Sequence, residues 1–148
     1  MSDTGHGEPK LIFPGLAGFY EAVSDLWYPL IRVTVGALLF VHGWTKVTSG
    51  VAGVTGFFEK NGFVPASGFA YAAIFLETAG AICIVLGLFT RVFAAMIAIQ
   101  MAIITFVVMM PRGWAQMEPT LMWGIVMFAI ALRGGGPYSL DRMIGKEL

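Results

Sequence analysis

Four long apolar runs constrain what this chain can fold into more than any other feature of its sequence. The runs cover residues 30–48, 68–89, 92–110 and 120–132. A helix needs about 20 mostly apolar residues to cross the hydrocarbon core of a bilayer. A transmembrane β-strand would alternate polar and apolar residues over about ten positions, and these runs do not alternate. The sequence therefore predicts an all-α integral membrane protein with a four-helix transmembrane bundle.

Prolines and glycines set the expected ends of the helices. Pro29 suits a first helical turn, Pro65 and Pro111 interrupt the chain between runs, and Gly134-Gly135-Gly136-Pro137 follows the last run. We expect a single membrane domain over residues 1–148, with a cytoplasmic segment before residue 29 and a cytoplasmic tail over residues 134–148. The helices are expected at about residues 29–48, 68–89, 91–110 and 119–133.

Two shorter segments have helical periodicity outside the four runs. Residues 11–24 predict a short N-terminal helix lying along the membrane surface, because one stripe holds Ile12, Leu16, Phe19 and Val23. Residues 50–61 predict a short interfacial or re-entrant helix, with an irregular loop as the alternative.

The positions of the basic residues predict the orientation of the chain. Four crossings place both termini on one side of the membrane. That side holds six basic residues and the other holds three, so the positive-inside rule predicts cytoplasmic termini. The six are Lys10, Arg32, Arg91, Arg133, Arg142 and Lys146, and the three are Lys46, Lys60 and Arg112.

The composition excludes several classes of function. Charged residues make up 12% of the chain and the net charge is zero, so nucleic-acid binding, which needs a basic excess, is not expected. A single cysteine, Cys83, excludes an intrachain disulfide and a cysteine-ligated iron–sulfur cluster. Two histidines leave little for a metal site, and we expect none. No glycine fingerprint for a flavin or nicotinamide cofactor is present.

Three polar residues inside the apolar runs form the candidate ligand-binding site. At about 1.5 Å of rise per residue, His42, Glu77 and Gln100 lie about 18, 16 and 13 Å from the same membrane face. Because polar groups are costly in lipid, we expect all three to turn inward as one layer. The layer is either a pocket that binds a ligand headgroup or relays a proton, or an interhelical hydrogen-bond clamp.

Three basic residues are candidate supporting charges for this layer: Arg32, Lys46 and Arg91. Arg32 and Lys46 lie near the two ends of the first run. We expect both to extend toward the membrane surface, with their apolar stems in lipid and their charged heads in water.

A series of motifs then gives the chain a family resemblance. Arg32 stands ten positions before His42. The motifs that follow are Phe40-Val41-His42-Gly43-Trp44-Thr45-Lys46, Gly62-Phe63-Val64-Pro65, Glu77-Thr78-Ala79-Gly80, Leu86-Gly87-Leu88-Phe89-Thr90-Arg91 and Gly135-Gly136-Pro137-Tyr138-Ser139-Leu140-Asp141. In this order and spacing, over about residues 26–142, the chain resembles the DoxX family of small four-helix inner-membrane proteins.

The resemblance implies a place near the quinone pool of a bacterial inner membrane. Members of the family are linked to quinol oxidase and thiosulfate:quinone oxidoreductase systems, to oxidative stress and to thiol homeostasis. The first hypothesis is an accessory subunit of a quinone-linked redox complex, without activity of its own and with quinone as the one candidate cofactor. The second is a structural or assembly protein packed beside other membrane subunits or its own copies. The third is a small-molecule or proton-coupled transporter that must oligomerise.

Overall fold

A computed structural model describes residues 12–145, which form seven helices, with one 3₁₀ turn (Pro14–Leu16) directly before the first of them. Lys10 and Lys146 of the expected tails, and the first residue of the expected 11–24 helix, lie outside this range. The helices are α1 (Ala17–Val23), α2 (Trp27–Ser49), α3 (Val51–Lys60), α4 (Ala66–Leu86), α5 (Thr90–Arg112), α6 (Trp114–Arg133) and α7 (Leu140–Ile144).

The four longest helices, α2, α4, α5 and α6, are each long and apolar enough to cross a membrane. Their outer surfaces carry large exposed apolar side chains, such as those of Phe75 and Phe128. Their inner surfaces meet in one core, where Leu39, Ile84 and Met127 are almost completely buried. The all-α, four-helix transmembrane prediction is confirmed, and the protein is a multi-pass membrane protein in contact with lipid.

The ends of two spanning helices differ from the expected positions. Helix α4 ends at Leu86 rather than near residue 89, because Gly87 adopts a left-handed conformation with φ of 68°. The amides of Gly87 and Leu88 then bind the last free carbonyls of the helix. Helix α6 begins at Trp114, five residues before the expected start, and includes Pro119 near its exposed first turns.

Helices α4 and α5 each contain a π-helical segment that the apolar pattern did not predict. Leu76–Gly80 forms the segment in α4, and Ile104–Met109 forms the one in α5. A π turn holds one residue more than an α turn, so it changes which side chains face the neighbouring helices. Such turns occur frequently at functional sites.

Both shorter segments are helical. Helix α3 follows α2 directly and packs on α4 through Phe58, Phe63 and Phe69, whose ring centroids lie 5.0 to 5.9 Å apart. The 50–61 segment is therefore a helix and not an irregular loop. Helix α1 leaves all of its side chains unburied, and its place at the membrane surface stays a prediction.

Candidate functional site

Glu77 is a completely buried acidic residue in the middle of α4. It lies in the π-helical segment Leu76–Gly80, with a relative exposure of 0%. Its two carboxylate oxygens have different partners. The Lys46 ammonium lies 2.5 Å from Oε2, and the amide Nε2 of Gln100 donates a hydrogen bond of 2.6 Å to Oε1. These three side chains, from α2, α4 and α5, are called the Glu77 cluster below.

The close approach of α2 to α4 brings Lys46 to Glu77. A Cβ atom on Gly43 would lie only 2.4 Å from the backbone oxygen of Glu77, and one on Gly36 would lie 3.1 Å from the oxygen of Ala81. Two glycines seven residues apart therefore lie on the same side of α2. Small residues of this kind let helix backbones pack closely in a membrane.

His42 takes a different position from the one expected in the polar layer. Its Nε2 lies 4.0 Å from Oε2 of Glu77, outside hydrogen-bond distance, and its side chain is 63% exposed. The structure brings Glu77 and Gln100 together as expected but leaves His42 at the edge. Lys46 is the cation in direct contact with the carboxylate, because it lies one helical turn beyond His42 and has the longer side chain.

The expectation that Lys46 extends to the membrane surface is wrong. Its side chain is 23% exposed, and its ammonium turns inward to the carboxylate. An ammonium group carries three hydrogen-bond donors, and one of them is directed at Oε2 of Glu77. The expectation rested on the position of Lys46 near the end of its helix. That position does not show that the carboxylate of Glu77, on a neighbouring helix, lies within reach of the lysine side chain.

Two cavities lie near the Glu77 cluster, and one of them has a cluster residue, Gln100, in its wall. One, of about 430 Å³, lies beside His42 and is lined by residues of α2, α5 and α6, among them Thr120 and Trp123. The other, of about 260 Å³, lies between α4 and α5 and includes Gln100 in its wall. The Oε1 atom of Gln100 is buried and has no hydrogen-bond partner among the described residues.

Arg32 belongs to a separate buried cluster, so the expectation that it extends to the membrane surface is also wrong. Its relative exposure is 1%. Its guanidinium donates hydrogen bonds to the carbonyls of Gly135 and, at 2.9 Å, Tyr138. The hydroxyl of Tyr28 donates to the carbonyl of Gly134. The chain after α6 therefore folds back and covers the first turns of α2.

Asp141 is the acidic residue of this second cluster, and the sequence reasoning did not select it as a site residue. Its carboxylate accepts hydrogen bonds from the backbone N–H groups of Phe89 (2.7 Å) and Thr90 (2.9 Å) and from the Thr90 hydroxyl (2.7 Å). Its own N–H donates to the carbonyl of Gly87. Asp141 thus caps the N-terminus of α5, where a negative charge is favourable. We call Arg32, Thr90 and Asp141 with their backbone partners the C-terminal clasp.

Arg91 lies at the same end of the bundle as the C-terminal clasp. Its guanidinium donates to the carbonyls of Leu132 (2.7 Å), Ala131 (3.3 Å) and Arg133 (3.4 Å) at the end of α6. A cation at a helix C-terminus satisfies carbonyls that have no partner within the helix. Glu77 lies ten residues before Gly87, about 15 Å away along α4. Arg32 and Arg91 therefore support helix ends, and only Lys46 of the three basic residues belongs to the Glu77 cluster.

The Glu77 cluster does not resemble a metal centre. Nowhere in residues 12–145 do three or more histidine, cysteine or acidic side chains come together. The cluster instead offers a carboxylate, an ammonium and an amide next to apolar cavities. Such a set can orient a small polar headgroup through hydrogen bonds while the apolar walls hold the rest of the molecule.

Comparison with known proteins gives one match. The family model of DoxX matches residues 28–110, more than half of the chain. Comparisons with curated proteins and with solved structures give no significant match. The matched region includes His42, Lys46, Glu77 and Gln100 and ends before α6 and Asp141. On this match, the chain belongs to the DoxX family.

Proposed function

We propose that this protein is a small subunit of a quinone-linked membrane redox complex and holds a quinone-type ring at the Glu77 cluster. The observation that carries the proposal is a buried carboxylate whose neighbours, His42 and Gln100, line cavities between the spanning helices. Buried ionisable residues in a bilayer are costly and usually serve a function. The family's link to quinone systems adds support.

Each residue of the cluster, and His42 beside it, has a role in this proposal. Lys46 holds the Glu77 carboxylate from α2. Gln100 fixes the other carboxylate oxygen from the opposite helix. His42, at the exposed edge, connects the carboxylate to the outside of the bundle. Partner subunits supply the electron-transfer centres of the complex.

Orientation in the membrane is part of the proposal. Among the described residues, four basic residues lie at the clasp end of the bundle, Arg32, Arg91, Arg133 and Arg142. Three lie toward the opposite end, Lys46, Lys60 and Arg112, and Arg112 donates a hydrogen bond of 3.0 Å to Asn61 there. The excess of basic residues at the clasp end supports cytoplasmic termini in a bacterial inner membrane. Single cysteines placed at residue 25 or residue 61 in a Cys83→Ala background test this. A membrane-impermeant thiol reagent should label only the cysteine at residue 61 in intact cells.

Ligand retention tests the proposed function directly. We expect the protein, purified in mild detergent from native membranes, to retain quinone that solvent extraction and mass spectrometry detect. Glu77→Gln should lose most of it, whereas Glu59→Gln, a matched change on the exposed surface of α3, should retain it. Purified protein without quinone that also fails to bind added quinone would exclude the proposal.

The same preparation tests the partner. Redox-complex subunits should co-purify at a fixed stoichiometry. A defined partner without any redox centre, together with no quinone, would instead support a structural or assembly protein.

A further inference from the structure

We propose that a surface pocket at the clasp end of the bundle binds the headgroup of a phospholipid that carries both a phosphate and a primary ammonium group. Arg142 binds the phosphate and Asp25 binds the ammonium. This site is separate from the Glu77 cluster and goes beyond the proposed function. Three observations carry the inference: two opposite charges without partners, an aromatic ring beside them, and the position of the pocket at the end of the spanning helices.

The pocket brings two unpaired charges of opposite sign together. It has a volume of about 490 Å³, and its wall includes Asp25, just before α2, and Arg142, in α7. Both side chains are exposed, so a ligand can reach them. Within residues 12–145, neither the Asp25 carboxylate nor the Arg142 guanidinium forms an ion pair or a hydrogen bond. A zwitterionic ligand matches both charges, whereas an anionic ligand would be repelled by the carboxylate.

Tyr138 adds an aromatic ring to the wall of the pocket. Its side chain is 72% exposed, and its backbone has a φ of 56°, which is uncommon for a residue other than glycine. Arg32 of the clasp donates a hydrogen bond of 2.9 Å to the Tyr138 carbonyl in this conformation. Backbone conformations of this kind cluster at ligand sites, and an aromatic ring attracts a cation. Tyr138 and Asp25 together therefore suit the ammonium group of the ligand.

The position of the pocket favours a lipid over a soluble ligand. Asp25 lies two residues before Trp27, which begins the spanning helix α2, and tryptophan is typical of the membrane–water interface. Apolar side chains adjoin the charged ones. Met143, in the wall of the pocket, is 81% exposed, and Leu26 and Leu30, next along the chain from Asp25, are 50% and 67% exposed. These side chains give the acyl chains of a lipid an apolar surface beside the headgroup.

Competition between two lipids tests the requirement for both charges. The full chain in lipid-free detergent is incubated with equal amounts of phosphatidylethanolamine and phosphatidylglycerol that have the same acyl chains, and native mass spectrometry measures how much of each is retained. Both lipids carry a phosphate, but only the first carries an ammonium group. We expect phosphatidylethanolamine to be preferred about two- to fivefold, as for one exposed ion pair. Equal retention, or a preference for phosphatidylglycerol, would overturn the inference.

Two variants assign the charges to their residues. Asp25→Asn should remove the preference, whereas Glu21→Gln, on the exposed surface of α1 and outside the pocket, should keep it. Arg142→Gln should weaken retention of both lipids about two- to fivefold, whereas Arg112→Gln, at the opposite end of the bundle, should not. In lipid-free detergent the melting temperature should stay the same in Asp25→Asn and Arg142→Gln, since neither side chain has a partner in the protein. A preference that survives Asp25→Asn, or retention that survives Arg142→Gln, would contradict the assignment.

Free phosphoethanolamine tests whether the ligand is a lipid. It carries the same phosphate and ammonium groups without acyl chains. We expect it to displace phosphatidylethanolamine only at concentrations far above that of the lipid, because it gains nothing from the apolar side chains beside the pocket. Displacement at an equal concentration would make a soluble phosphate ester the ligand and overturn the proposed lipid site.

Discussion

The C-terminal clasp and the Glu77 cluster both bury charged side chains, but they satisfy them in different ways. In the clasp, Arg32 and Asp141 bind mainly backbone carbonyl and N–H groups, and the side chains lie at helix ends that need such partners. In the Glu77 cluster every direct partner is a side chain, and Gln100 also lines a cavity. Each of the two regions holds one buried polar atom without a hydrogen-bond partner among the described residues, Nε of Arg32 in the clasp and Oε1 of Gln100 in the cluster. The first arrangement stabilises a fold, whereas the second has the features of a binding site.

The largest effect on stability should come from breaking the clasp. Asp141→Asn replaces one carboxylate oxygen with an NH₂ group that faces a backbone N–H donor, and it removes the charge at the start of α5. We expect a loss of about 3 kcal/mol in the free energy of unfolding, measured by thermal or denaturant unfolding in detergent. Asp25→Asn, on the exposed surface between α1 and α2, is the control. Equal unfolding curves for the two variants would contradict the structural role of the clasp.

The next effect should come from separating α2 from α4. In Gly43→Ala the added methyl group would lie 2.4 Å from the backbone oxygen of Glu77, so one helix must move. Overpacking of this kind costs about 1 to 3 kcal/mol, and we expect a lower melting temperature together with weaker quinone retention. Gly53→Ala, where nothing lies within 4 Å of the added atom, should be neutral or stabilising by up to about 1 kcal/mol. A destabilisation at both positions would show that the close approach is not the cause.

A smaller stability effect should follow from neutralising the Glu77 cluster. Glu77→Gln keeps the shape of the side chain and removes the charge, and the partly exposed Lys46 can then turn to the surface. We expect a change of about 1 kcal/mol in the free energy of unfolding, with most of the ligand binding lost. A destabilisation as large as that of Asp141→Asn, with ligand binding unchanged, would make the cluster a structural clamp.

The smallest stability effect should come from His42. Its side chain is mostly exposed and makes no hydrogen bond to Glu77, so His42→Ala should change the free energy of unfolding by less than about 0.5 kcal/mol. The melting curve of His42→Ala is compared with that of Lys46→Ala, which removes the ion pair to Glu77. The comparison measures the difference in stability between the two variants. If His42→Ala lowered the free energy of unfolding more than Lys46→Ala does, His42 and not Lys46 would be the cation that holds Glu77.

The sequence predicted the parts of this molecule that depend on local composition. The apolar runs predicted the four spanning helices, because a segment that crosses lipid must pair its own backbone N–H and C=O groups in hydrogen bonds, as a helix does. The depth of each polar residue along its helix predicted that Glu77 and Gln100 would meet. The meeting of Glu77 and Gln100 follows from the rise per residue of a helix, which sets their depth, and from the cost of a charge in a bilayer, which turns them inward.

The missed features depend on contacts between distant segments. The π turn at Glu77 has no signature in the apolar pattern, since it rotates the helix without interrupting it. The ion pair of Lys46 depends on the close packing at Gly43, and the burial of Arg32 depends on the return of the chain after α6. Neither the direction of that return nor the reach of a lysine can be deduced from the positions of the residues along the helices.

The capping of α5 by Asp141 also has a consequence for the order of assembly. The capping residue comes 51 positions after the N–H group of Thr90 that it binds. During synthesis, α5 and α6 are therefore made before the carboxylate that completes the start of α5. Until then the left-handed turn at Phe89 has no carboxylate partner. The cap on α5 can therefore form only after the whole of α6 has been synthesised, when the short helix α7 docks against Gly87 and Thr90.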